Sequence, residues 1–358
     1  MDEAPILFDV ADGWGIVTLN RPERLNALSL TMCAQMAAKL SEWREDDSVH
    51  AVLVKAAGER AFCAGGDIRD LYEQRMAGDV EGPMRFFATE YLNNWRVAHF
   101  PKPYVAFIDG AVMGGGVGIS ILGEFRVVTE NALFAMPECG IGLYPDVGAT
   151  HMLPRLRGEV GMWLGLTGTR LGAGDTVHMA IATHAVRRNQ LDEVEVALRG
   201  IGWGEDPHGQ VSRLLDGFHV TPPGETPALD RLGEINAAFA LDGVQDILEA
   251  LRRDGGAWQM AQVGAIERGS PLSVRVTHRA IRRGAKQDMT EALIEEHALT
   301  RQFVQDSDLM EGIRAQVIDK DRAPKWRHAH VSDVTKAEVD AMFAPAPELI
   351  RFGWEETP

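Results

Sequence analysis

The sequence predicts an α/β protein of stacked strand and helix turns, followed by a mainly helical C-terminal region. Over roughly the first 200 residues, short apolar segments typical of strands alternate with helical segments. Glycine-rich turns at 65–66 and 114–116 interrupt this alternation. From about residue 204 the strand signals stop and helical patterns dominate. We therefore expect one domain over 1–203 and a mainly helical region over 204–358.

The chain is predicted to open with a β-hairpin. Apolar residues over 6–10 and 14–19 form two short strands, and the Asp12-Gly13 pair between them is a strong turn signal. Ser29 is a suitable N-cap for the helix that follows. The apolar positions of that helix recur at spacings of three and four and should face the core: Met32, Met36, Leu40 and Trp43.

The order of elements is predicted to repeat. The first set is a strand over 49–55, the turn at 65–66 and a helix from Ile68 that breaks by Gly82-Pro83. The second set runs through a strand over 104–108, the Asp109-Gly110 turn, a helix opened by Gly114 and a strand over 125–129. Stacking of such sets predicts a superhelix.

The boundary between the two regions is placed at the glycine- and proline-rich stretch 204–227. Beyond it the sequence predicts one helix over 228–253 and another over 290–306. Pro271 is a suitable first residue for a third helix between them.

Composition excludes several classes of protein. The chain has 36 Lys and Arg against 52 Asp and Glu, a net charge of −16, which disfavours nucleic acid as a partner. Its three cysteines form no CxxC pair, so neither a disulfide framework nor a zinc site is indicated. An acidic N-terminus and the lack of a long apolar segment predict a cytoplasmic protein that does not enter a membrane.

The glycine turns are the first candidate site. Gly65-Gly66 and Gly114-Gly115-Gly116 each follow a strand and precede a helix. Glycine lets the backbone approach a ligand closely, and a helix N-terminus offers unpaired N–H groups, so the two turns could direct two donors at one oxyanion. From glycine alone, tight turns between packed elements are the more frequent explanation.

Two carboxylates form the second candidate site. Glu138 and Asp146 flank the segment 139–145, which is apolar, aromatic and rich in glycine. Partial loss of hydration in such surroundings raises the pKa of a carboxyl group and equips it to act as base, nucleophile or acid. The spacing is equally compatible with Glu138 capping a backbone turn and Asp146 starting a helix near Val147.

Three sequence blocks together resemble the crotonase (enoyl-CoA hydratase/isomerase) superfamily. These blocks are NRPERLNAL at 20–28, FCAGGDI at 62–68 and GAVMGGGVG at 110–118. The block MPECGIGLYPDVG at 136–148 resembles, more narrowly, the 3-hydroxyisobutyryl-CoA hydrolase branch. Two further blocks extend this narrower likeness along almost the whole chain: EGIRA at 311–315 and IDKDRAPKW at 318–326.

The resemblance implies a crotonase superhelix of repeated ββα turns, with residues 1–203 as the acyl-CoA-binding catalytic domain. It implies that the backbone N–H groups of Gly66 and Gly115 bind the thioester oxygen. Glu138 and Asp146 would then perform the chemistry, and both would contact the substrate, as would Gly115 and Glu90. Without the resemblance, Glu90 would be assigned to a solvated helix face.

In this superfamily coenzyme A lies along two short segments of the chain. The residues of this sequence that match those segments are Arg24, Ala27, Ala64, Asp67 and Ile68. Arg24 is implied as a partner of a phosphate, the alternative being an exposed arginine without a ligand. Coenzyme A would be part of the substrate, and neither a metal nor another cofactor is implied.

One position departs from the broader family. Typical enoyl-CoA hydratases carry a catalytic glutamate two positions after the triple glycine, and this chain has Gly118 there. Hydration of an alkene in the hydratase manner uses two carboxylates, so one is missing. Asp146 supplies a second carboxylate that thioester hydrolysis could use. Cys139 and residues 149–151 also differ from the branch pattern, which leaves the acyl group open.

The resemblance thus implies hydrolysis of a short-chain 3-hydroxyacyl-CoA, in the first place 3-hydroxyisobutyryl-CoA in valine breakdown. Glu138 would attack the thioester to form a mixed anhydride or would activate water, and the sequence does not choose between these routes. Two alternatives stay open. One is an enoyl-CoA hydratase or isomerase that uses Glu138 alone, and the other is a non-catalytic acyl-CoA- or protein-binding member of the fold. Assembly into a homo-oligomer is also left open.

Overall fold

The computed structural model describes residues 4–79, 81–222, 224–305, 308–345 and 349–356. These residues form ten strands in two sheets. The strands are β1 (Ile6–Ala11), β2 (Trp14–Leu19), β3 (Ala51–Ala56), β4 (Ala61–Cys63), β5 (Tyr104–Ile108), β6 (Ala111–Met113), β7 (Phe125–Val128), β8 (Leu133–Ala135), β9 (Leu171–Gly172) and β10 (His184–Ala185).

The two sheets are wound together by the chain. The larger has the order β1-β2-β3-β5-β7-β10, and its strands are parallel except for the β1–β2 hairpin. The smaller has the order β4-β6-β8-β9, in which β4, β6 and β8 are parallel. Three successive turns of the chain each add one strand to the larger sheet and the next strand to the smaller one. The result is the predicted superhelix of stacked turns.

Helices surround the sheets and make up most of the C-terminal region. Within the described ranges the α-helices are α1 (Leu30–Glu45), α2 (Ile68–Met76), α3 (Glu81–Ala98), α4 (Gly115–Gly118), α5 (Ala149–Met152), α6 (Val160–Thr167), α7 (Ala173–His178), α8 (Leu191–Arg199), α9 (Pro207–Phe218), α10 (Pro227–Asp230), α11 (Leu232–Phe239), α12 (Val244–Asp254), α13 (Ala257–Arg268), α14 (Pro271–Gly284), α15 (Met289–Gln305), α16 (Leu309–Ile313) and α17 (Lys336–Met342). Shorter 3-10 segments lie at Pro22–Arg24, Glu138–Ile141, Leu153–Arg155, Arg188–Gln190 and Val331–Asp333, and a π-turn lies at Arg314–Ile318. None of the helices described is long and apolar enough to cross a membrane.

The N-terminal elements form as their local sequence predicts. Asp12 and Gly13 adopt φ values of 57° and 82°, the left-handed conformation that a tight hairpin turn requires. The Ser29 side chain accepts a hydrogen bond from the backbone N–H of Met32 at 3.3 Å and caps α1. The four predicted core positions of α1, Met32, Met36, Leu40 and Trp43, are all buried.

The helix that begins at Ile68 has ended before Gly82-Pro83, as predicted, because its last residue is Met76. Gly82-Pro83 does not itself end that helix but lies in the first turn of α3. Proline is tolerated there because the first N–H groups of a helix have no partner within it. The Asp79 carboxylate accepts hydrogen bonds from two of these N–H groups, at 3.1 Å and 2.8 Å. As a consequence, Glu90 lies in the middle of a long buried helix.

The C-terminal region packs against the superhelix over a continuous core. The stretch 204–227 contains helix α9, whose Val211 and Leu215 are buried against the larger sheet. The helix predicted over 228–253 is divided into α10, α11 and α12, whereas Pro271 starts α14 as predicted. Helix α15 corresponds to the helix predicted over 290–306, whose last residue lies outside those described, and it packs against α3. The division at 203/204 stays a prediction.

Candidate active site

The candidate site is built where three parallel strands of the smaller sheet end. Strand β4 is followed by Gly65-Gly66, β6 by Gly114-Gly115 and β8 by the segment that holds Glu138. Because parallel strands place their carboxyl ends at one edge of a sheet, these segments meet. A Cβ atom built on Gly65 would lie 3.7 Å from the backbone nitrogen of Gly115, and one built on Gly114 would lie 3.3 Å from Oε1 of Glu138.

The backbone N–H groups of Gly66 and Gly115 at this edge have no acceptor among the described residues. Gly115 is the first residue of α4, where an N–H has no acceptor within the helix. Gly66 forms a bridge with Leu28, but its hydrogen bonds run from Leu28 N to Gly65 O and from Asp67 N to Leu28 O. Across the part of the chain that the structure describes, neither the Gly66 nor the Gly115 N–H has an acceptor. Both are therefore available to a ligand.

A cavity of about 510 Å³ opens over these glycines. Its polar wall contains Glu90, Glu138 and Asp146 together with the two glycine turns. Its apolar wall comes from both halves of the chain and includes Ile68, Leu71, Phe86, Phe87, Leu309 and Ile313. The structure thus brings together the predicted oxyanion donors, the two predicted catalytic carboxyls and the predicted substrate contact.

The three carboxyl groups are almost fully withdrawn from solvent, with 2% of Glu90, 5% of Glu138 and 3% of Asp146 exposed. Oε1 of Glu90 and Oε2 of Glu138 have no hydrogen-bond partner among the described residues. Buried carboxyl oxygens without a protein partner are costly to keep in a fold. They are the atoms expected to meet a substrate.

Burial also controls the charge of the site. It raises the pKa of Asp146 to about 6, an effect that the hydrogen bond from Tyr91 limits. Burial and then the charge of Asp146 raise the pKa of Glu138 well above its ordinary value. The pKa of Glu90 is raised by burial and by the charges of Asp146 and Glu138. Burial and the mutual repulsion of these carboxyls therefore favour the protonated forms of Glu138 and Glu90 beside a charged Asp146.

The backbone around Asp146 excludes the alternative that this residue starts a helix near Val147. Val147 and Gly148 have φ values of 56° and 85°, which are not helical, and α5 begins only at Ala149. The Asp146 carboxylate accepts a hydrogen bond from the Tyr91 hydroxyl at 2.6 Å. Glu138 opens a 3-10 segment whose first turn carries no side-chain cap.

Gly118 leaves no room for the glutamate that typical hydratases carry. A Cβ atom at this position would overlap the side-chain nitrogen of Asn94 and lie 2.9 Å from Cβ of Val147. Asn94 is fully buried on α3, one turn after Glu90, so it cannot move into solvent. A larger side chain at 118 would require α3 or the Val147 turn to shift.

The residues predicted to bind coenzyme A divide into two groups. Ala64 and Ile68 line the cavity. Arg24 and Ala27 lie outside its lining on the loop 21–28, which runs beside the cavity wall and is fastened to it by a 3.0 Å hydrogen bond from Ala64 N to Leu25 O. Arg24 is exposed. Contact of this loop with coenzyme A stays a prediction.

The Asp67 side chain makes a structural contact with Arg21. Its carboxylate forms an ion pair with Arg21 at 2.9 Å, and the Arg21 guanidinium also donates to the carbonyl of Ala27 at 2.7 Å. Asp67 thereby holds the loop 21–28 against the turn that carries Gly66. A contact between Asp67 and coenzyme A stays a prediction. It would have to involve the Asp67 backbone or lone pairs of the carboxylate that Arg21 does not use.

Sequence reasoning missed the residues behind Asp146. Tyr91, Tyr144 and Thr300 form a buried group of hydroxyls in contact with one another or with Asp146. Tyr91 follows Glu90 directly and Tyr144 lies within the block 136–148, so both were adjacent to recognised residues. Thr300 carries no sequence signal, because only the packing of α15 brings it there. Two exposed arginines at the cavity, Arg170 and Arg268, were also not anticipated.

The amino-acid sequence is similar to those of known proteins. The profile of a family described as enoyl-CoA hydratase/isomerase matches residues 14–343. A protein of Rattus norvegicus named 3-hydroxyisobutyryl-CoA hydrolase, mitochondrial, is 41% identical over 347 residues, which cover 96% of this chain and 89% of that protein. The protein of the same name from Homo sapiens is 39% identical over 334 residues, covering 92% of this chain and 86% of that protein.

Solved structures of similar fold cover nearly all of the chain. A crystal structure of an enoyl-CoA hydratase from Rhodobacter sphaeroides 2.4.1 gives a TM-score of 0.89 at 36% identity, over 98% of this chain and 100% of that one. A crystal structure of a carnitinyl-CoA dehydratase from Mycobacterium thermoresistibile gives a TM-score of 0.90 at 38% identity, over 98% of this chain and 99% of that one. These matches confirm the predicted fold class.

Proposed function

Since the chain belongs to the enoyl-CoA hydratase/isomerase family, we propose that it hydrolyses 3-hydroxyisobutyryl-CoA to 3-hydroxyisobutyrate and CoA, a step of valine breakdown. Relatives similar over nearly the whole chain carry this activity in their names. The observation that carries the proposal is the meeting of two unpaired backbone N–H groups with the buried Glu138 and Asp146 pair, while the position of the hydratase glutamate is sterically closed.

The unpaired amides of Gly66 and Gly115 account for activation of the thioester. As a carbonyl carbon is attacked, its oxygen gains negative charge, and fixed N–H donors stabilise that charge without reorganising. The Gly115 N–H stands at the start of α4, and the surrounding wall is largely apolar, so each donor acts in a medium of low polarity. The thioester carbonyl would lie between the two amides.

Glu138 and Asp146 account for the remaining chemistry. Hydrolysis needs a group that acts on the carbonyl carbon and a proton for the departing CoA thiolate. Burial raises the pKa of both carboxyls, which favours a proton held between them. With that proton on Asp146, Glu138 is the carboxylate that attacks the carbonyl or activates water. Asp146 then protonates the sulfur, and the CoA thiol leaves.

Glu90 accounts for recognition of the acyl group. It lies in the middle of α3 with Oε1 beside Gly115 and 3.8 Å from a Cβ atom built on Gly66. Burial and the charges of Asp146 and Glu138 raise its pKa and so favour its protonated form, which can both donate and accept a hydrogen bond. The 3-hydroxyl of the substrate is the polar group of the acyl chain that could satisfy the unpaired Oε1.

The rival function is hydration or isomerisation of an enoyl-CoA, and the names of the two structural neighbours favour it. A panel of CoA esters separates the two. Free thiol and enoyl absorbance are followed in parallel for 3-hydroxyisobutyryl-CoA, 3-hydroxypropionyl-CoA, isobutyryl-CoA, methacrylyl-CoA and crotonyl-CoA. The three cysteines are buried, so the protein itself contributes little to a thiol-reagent signal.

Stoichiometric release of thiol from the two 3-hydroxy esters, with little from isobutyryl-CoA, is the expected result. Loss of enoyl absorbance from crotonyl-CoA without release of thiol would instead establish the hydratase function. Tight binding of the esters without turnover would establish a silent acyl-CoA-binding protein.

A single turnover in ¹⁸O-water, with enzyme in excess, tests for a mixed anhydride on Glu138. The ¹⁸O appears in the hydroxy acid if water attacks the thioester directly or opens an anhydride at the acyl carbon. If Glu138 forms a mixed anhydride that water opens at the glutamyl carbon, the ¹⁸O appears in the protein, in the peptide that contains residue 138.

Two further expectations remain proposals. We expect full activity after dialysis against a chelator, since the proposed chemistry uses no metal or additional cofactor. A cytoplasmic location is also expected, although the curated relatives are named as mitochondrial. Whether copies of the chain form a homo-oligomer is to be measured by sedimentation.

A further inference from the structure

A row of buried hydroxyl groups lies behind Asp146. The Tyr91 hydroxyl donates to Oδ2 of Asp146 at 2.6 Å. The Thr300 hydroxyl lies 2.7 Å from that of Tyr91 and 2.9 Å from that of Tyr144. The row ends at a backbone carbonyl, because the Tyr144 hydroxyl donates to the carbonyl oxygen of Glu296 at 2.6 Å. Thr300 and Glu296 belong to α15, so the C-terminal region reaches the carboxylate in two steps.

The side chains of this row are shielded from solvent. Tyr91, Tyr144, Glu296 and Thr300 each have 0% of their surface exposed. In such surroundings each hydroxyl proton must be used within the row, because an unpaired buried donor or acceptor costs free energy.

The number of hydroxyl protons determines which hydroxyl of the row donates to which. The single proton of Tyr91 goes to Asp146 and that of Tyr144 goes to the Glu296 carbonyl. The proton of Thr300 is the one left, and the shorter of its two contacts is with Tyr91. Thr300 therefore donates to Tyr91, which strengthens the donation by Tyr91 to a charged Asp146. If Asp146 takes up a proton, the donors can reverse, so that Asp146 donates to Tyr91, Tyr91 to Thr300 and Thr300 to Tyr144.

The same helix also fixes the backbone after Asp146. The Glu296 carboxyl accepts hydrogen bonds from Gly148 N at 2.7 Å, from Thr150 N at 3.0 Å and from the Thr150 hydroxyl at 2.6 Å. These bonds hold the left-handed turn at Val147 and Gly148, which aims Asp146 into the cavity. Helix α15 thus contacts the Asp146 segment through a side-chain row and through a backbone clamp.

We propose that α15 is a positioning element of the active site, in which Thr300, acting through Tyr91, holds Asp146 in the orientation and charge state used in hydrolysis. This proposal rests on the proposed function. It assigns Thr300 and Tyr91 as positioning residues, because neither is part of the cavity lining. The other titratable groups that face Asp146 are Glu90, Glu138, Tyr144 and Glu296. They are unchanged in the variants that address Thr300.

The main test compares Thr300→Val with Thr300→Ser. Valine keeps the shape of threonine and loses the hydroxyl, whereas serine keeps the hydroxyl. With valine we expect kcat to fall about tenfold, the change that corresponds to one neutral hydrogen bond, with KM unchanged. The acid limb of the kcat profile should move to higher pH, because a weaker donation by Tyr91 leaves the Asp146 carboxylate less stabilised. Serine should restore both values.

Two further variants serve as a stronger test and as a control for this comparison. Tyr91→Phe removes the donor itself and should move kcat and the acid limb in the same direction, by more than Thr300→Val does. Thr176→Val is the matched control: Thr176 is as buried as Thr300, and its hydroxyl donates only to the Ala173 carbonyl, at 2.8 Å, within α7. It should lower stability as much as Thr300→Val while leaving kcat and the acid limb unchanged.

A titration that needs no turnover keeps the proposal separate from the proposed function. The infrared band of the protonated Asp146 carboxyl, assigned by its loss in Asp146→Asn, should titrate at higher pH in Thr300→Val than in wild type or Thr300→Ser. That shift would support the positioning role even if no CoA ester were hydrolysed. A Thr300→Val protein with reduced stability but an unchanged band titration and acid limb would overturn it, since Thr300 would then contribute packing only.

Discussion

Glu138 and Asp146 occupy one cavity with very different hydrogen bonding. The Asp146 carboxylate is held by Tyr91 at 2.6 Å, whereas Oε2 of Glu138 has no partner among the residues described. A donor lowers the pKa of the carboxyl that it contacts, and the charge of Asp146 in turn raises the pKa of Glu138. Their surroundings thereby favour the charged form of Asp146 and the protonated form of Glu138, a difference that acid–base chemistry can use.

Glu138→Gln should abolish release of thiol while leaving binding of the CoA ester nearly intact. The amide keeps the shape of the side chain but can neither attack the thioester nor accept a proton, so kcat should fall by on the order of 10² to 10⁴ or more. Calorimetry with a non-hydrolysable ester analogue should give a Kd within about threefold of wild type, or less than about 0.7 kcal/mol. Turnover at the wild-type rate would remove Glu138 from the mechanism.

Asp146→Asn should lower kcat with little change of KM and should also remove a pH transition. Asp146 has a pKa of about 6 and acts from its charged form, so wild-type kcat should rise as the pH increases through about 6. In the asparagine variant the residual rate should show no such rise. Asp175→Asn, at a fully buried aspartate that holds the N-terminus of α10, is a control for stability. If Asp146→Asn changes KM alone, Asp146 is a binding residue.

At this scale the sequence predicted that residues in recognisable motifs share one site, and their catalytic roles stay predictions. Gly66, Gly115, Glu138 and Asp146 meet in one cavity, as the family blocks implied. Thr300 could not be predicted, because its role depends on which face of α15 meets α3, and a helix with several buried polar residues gives no indication of their partners.

Among the elements, the smaller sheet determines the site. Three parallel strands end at one edge, and each is followed by a segment that supplies one part of the site: Gly66 after β4, Gly115 after β6 and Glu138 after β8. Helix α3 crosses this edge and adds Glu90 between the two glycines. A Cβ atom on Gly115 would overlap the Glu90 carboxyl, so glycine is required there by space as well as by the free N–H.

This overlap determines how the Gly115 N–H has to be tested. Proline at 115 removes the N–H but also adds a Cβ atom that collides with Glu90, so the substitution is informative only in a background that relieves the collision. Gly115→Ala and Gly115→Pro are therefore compared in a Glu90→Ala protein. Both substitutions add a Cβ atom at residue 115, but only proline removes the backbone N–H. Proline is acceptable in the first turn of a helix, and Gly115 does not have a left-handed φ.

The proline protein should have a kcat lower than the alanine protein by on the order of 10² to 10³, the usual cost of one oxyanion donor. Thermal melting of both proteins establishes that they fold. Equal kcat values in two folded proteins would show that Gly115 is only a turn residue and that the oxyanion is bound elsewhere.

Element boundaries were predicted where a local signal acts alone. The Asp12-Gly13 hairpin and the Ser29 cap depend on adjacent residues, and both form as predicted. The helix from Ile68 ends before Gly82-Pro83 as predicted, but the sequence did not show that these two residues begin the next helix. A first helical turn and a helix break have the same composition, and the Asp79 contacts that decide between them come from the preceding loop. Helix α9, within the stretch taken as a linker, depends for its stability on burial against the larger sheet.

At the scale of the whole molecule, the C-terminal region shares one core with the superhelix. Leu293, Leu299 and Phe303 of α15 belong to the same buried cluster as the strands and α3. The region also completes the cavity wall with Leu309 and Ile313. Sequence identified the region as helical, but its contribution to the site arises from contacts between residues far apart in the chain, which local patterns do not encode.

The concentration of buried carboxyls makes the stability of the whole protein depend on pH in a defined direction. Burial raises the pKa of Glu296 from its ordinary value of 4.5 to about 8 and that of Asp146 from 3.8 to about 6, and it raises those of Glu90 and Glu138 as well. A carboxyl whose pKa is higher in the folded state than in the unfolded state holds a proton that unfolding releases. Its contribution to stability is complete below the unfolded pKa and is lost as the pH rises through the folded pKa.

Half-buried and exposed carboxylates at the surface act in the opposite direction but in a different range of pH. Asp46, Asp79 and Asp206 have pKa values below their ordinary 3.8, so what they contribute is present at pH values above 3.8 and is lost as the pH falls below it. The free energy of unfolding should therefore be largest at about pH 5 and should fall towards about pH 8. The net charge of −16 adds a repulsive slope of the same sign, which salt screens.

Urea unfolding at about pH 5, 6.5 and 8, each at low and at about 0.5 M salt, measures this dependence, because salt removes the surface contribution and leaves the buried one.

Glu138→Gln should unfold like wild type at about pH 5 and be more stable than wild type at about pH 8, by on the order of 1 kcal/mol. Glu249→Gln, at an exposed position on α12, should follow wild type throughout. A wild-type stability that stays level or rises between about pH 5 and 8 in high salt would contradict the assignment of protons to this cavity. The proton that burial favours on Glu138 is also one that the proposed hydrolysis uses. The gain in stability at about pH 8 and the loss of thiol release in Glu138→Gln would therefore have one physical cause.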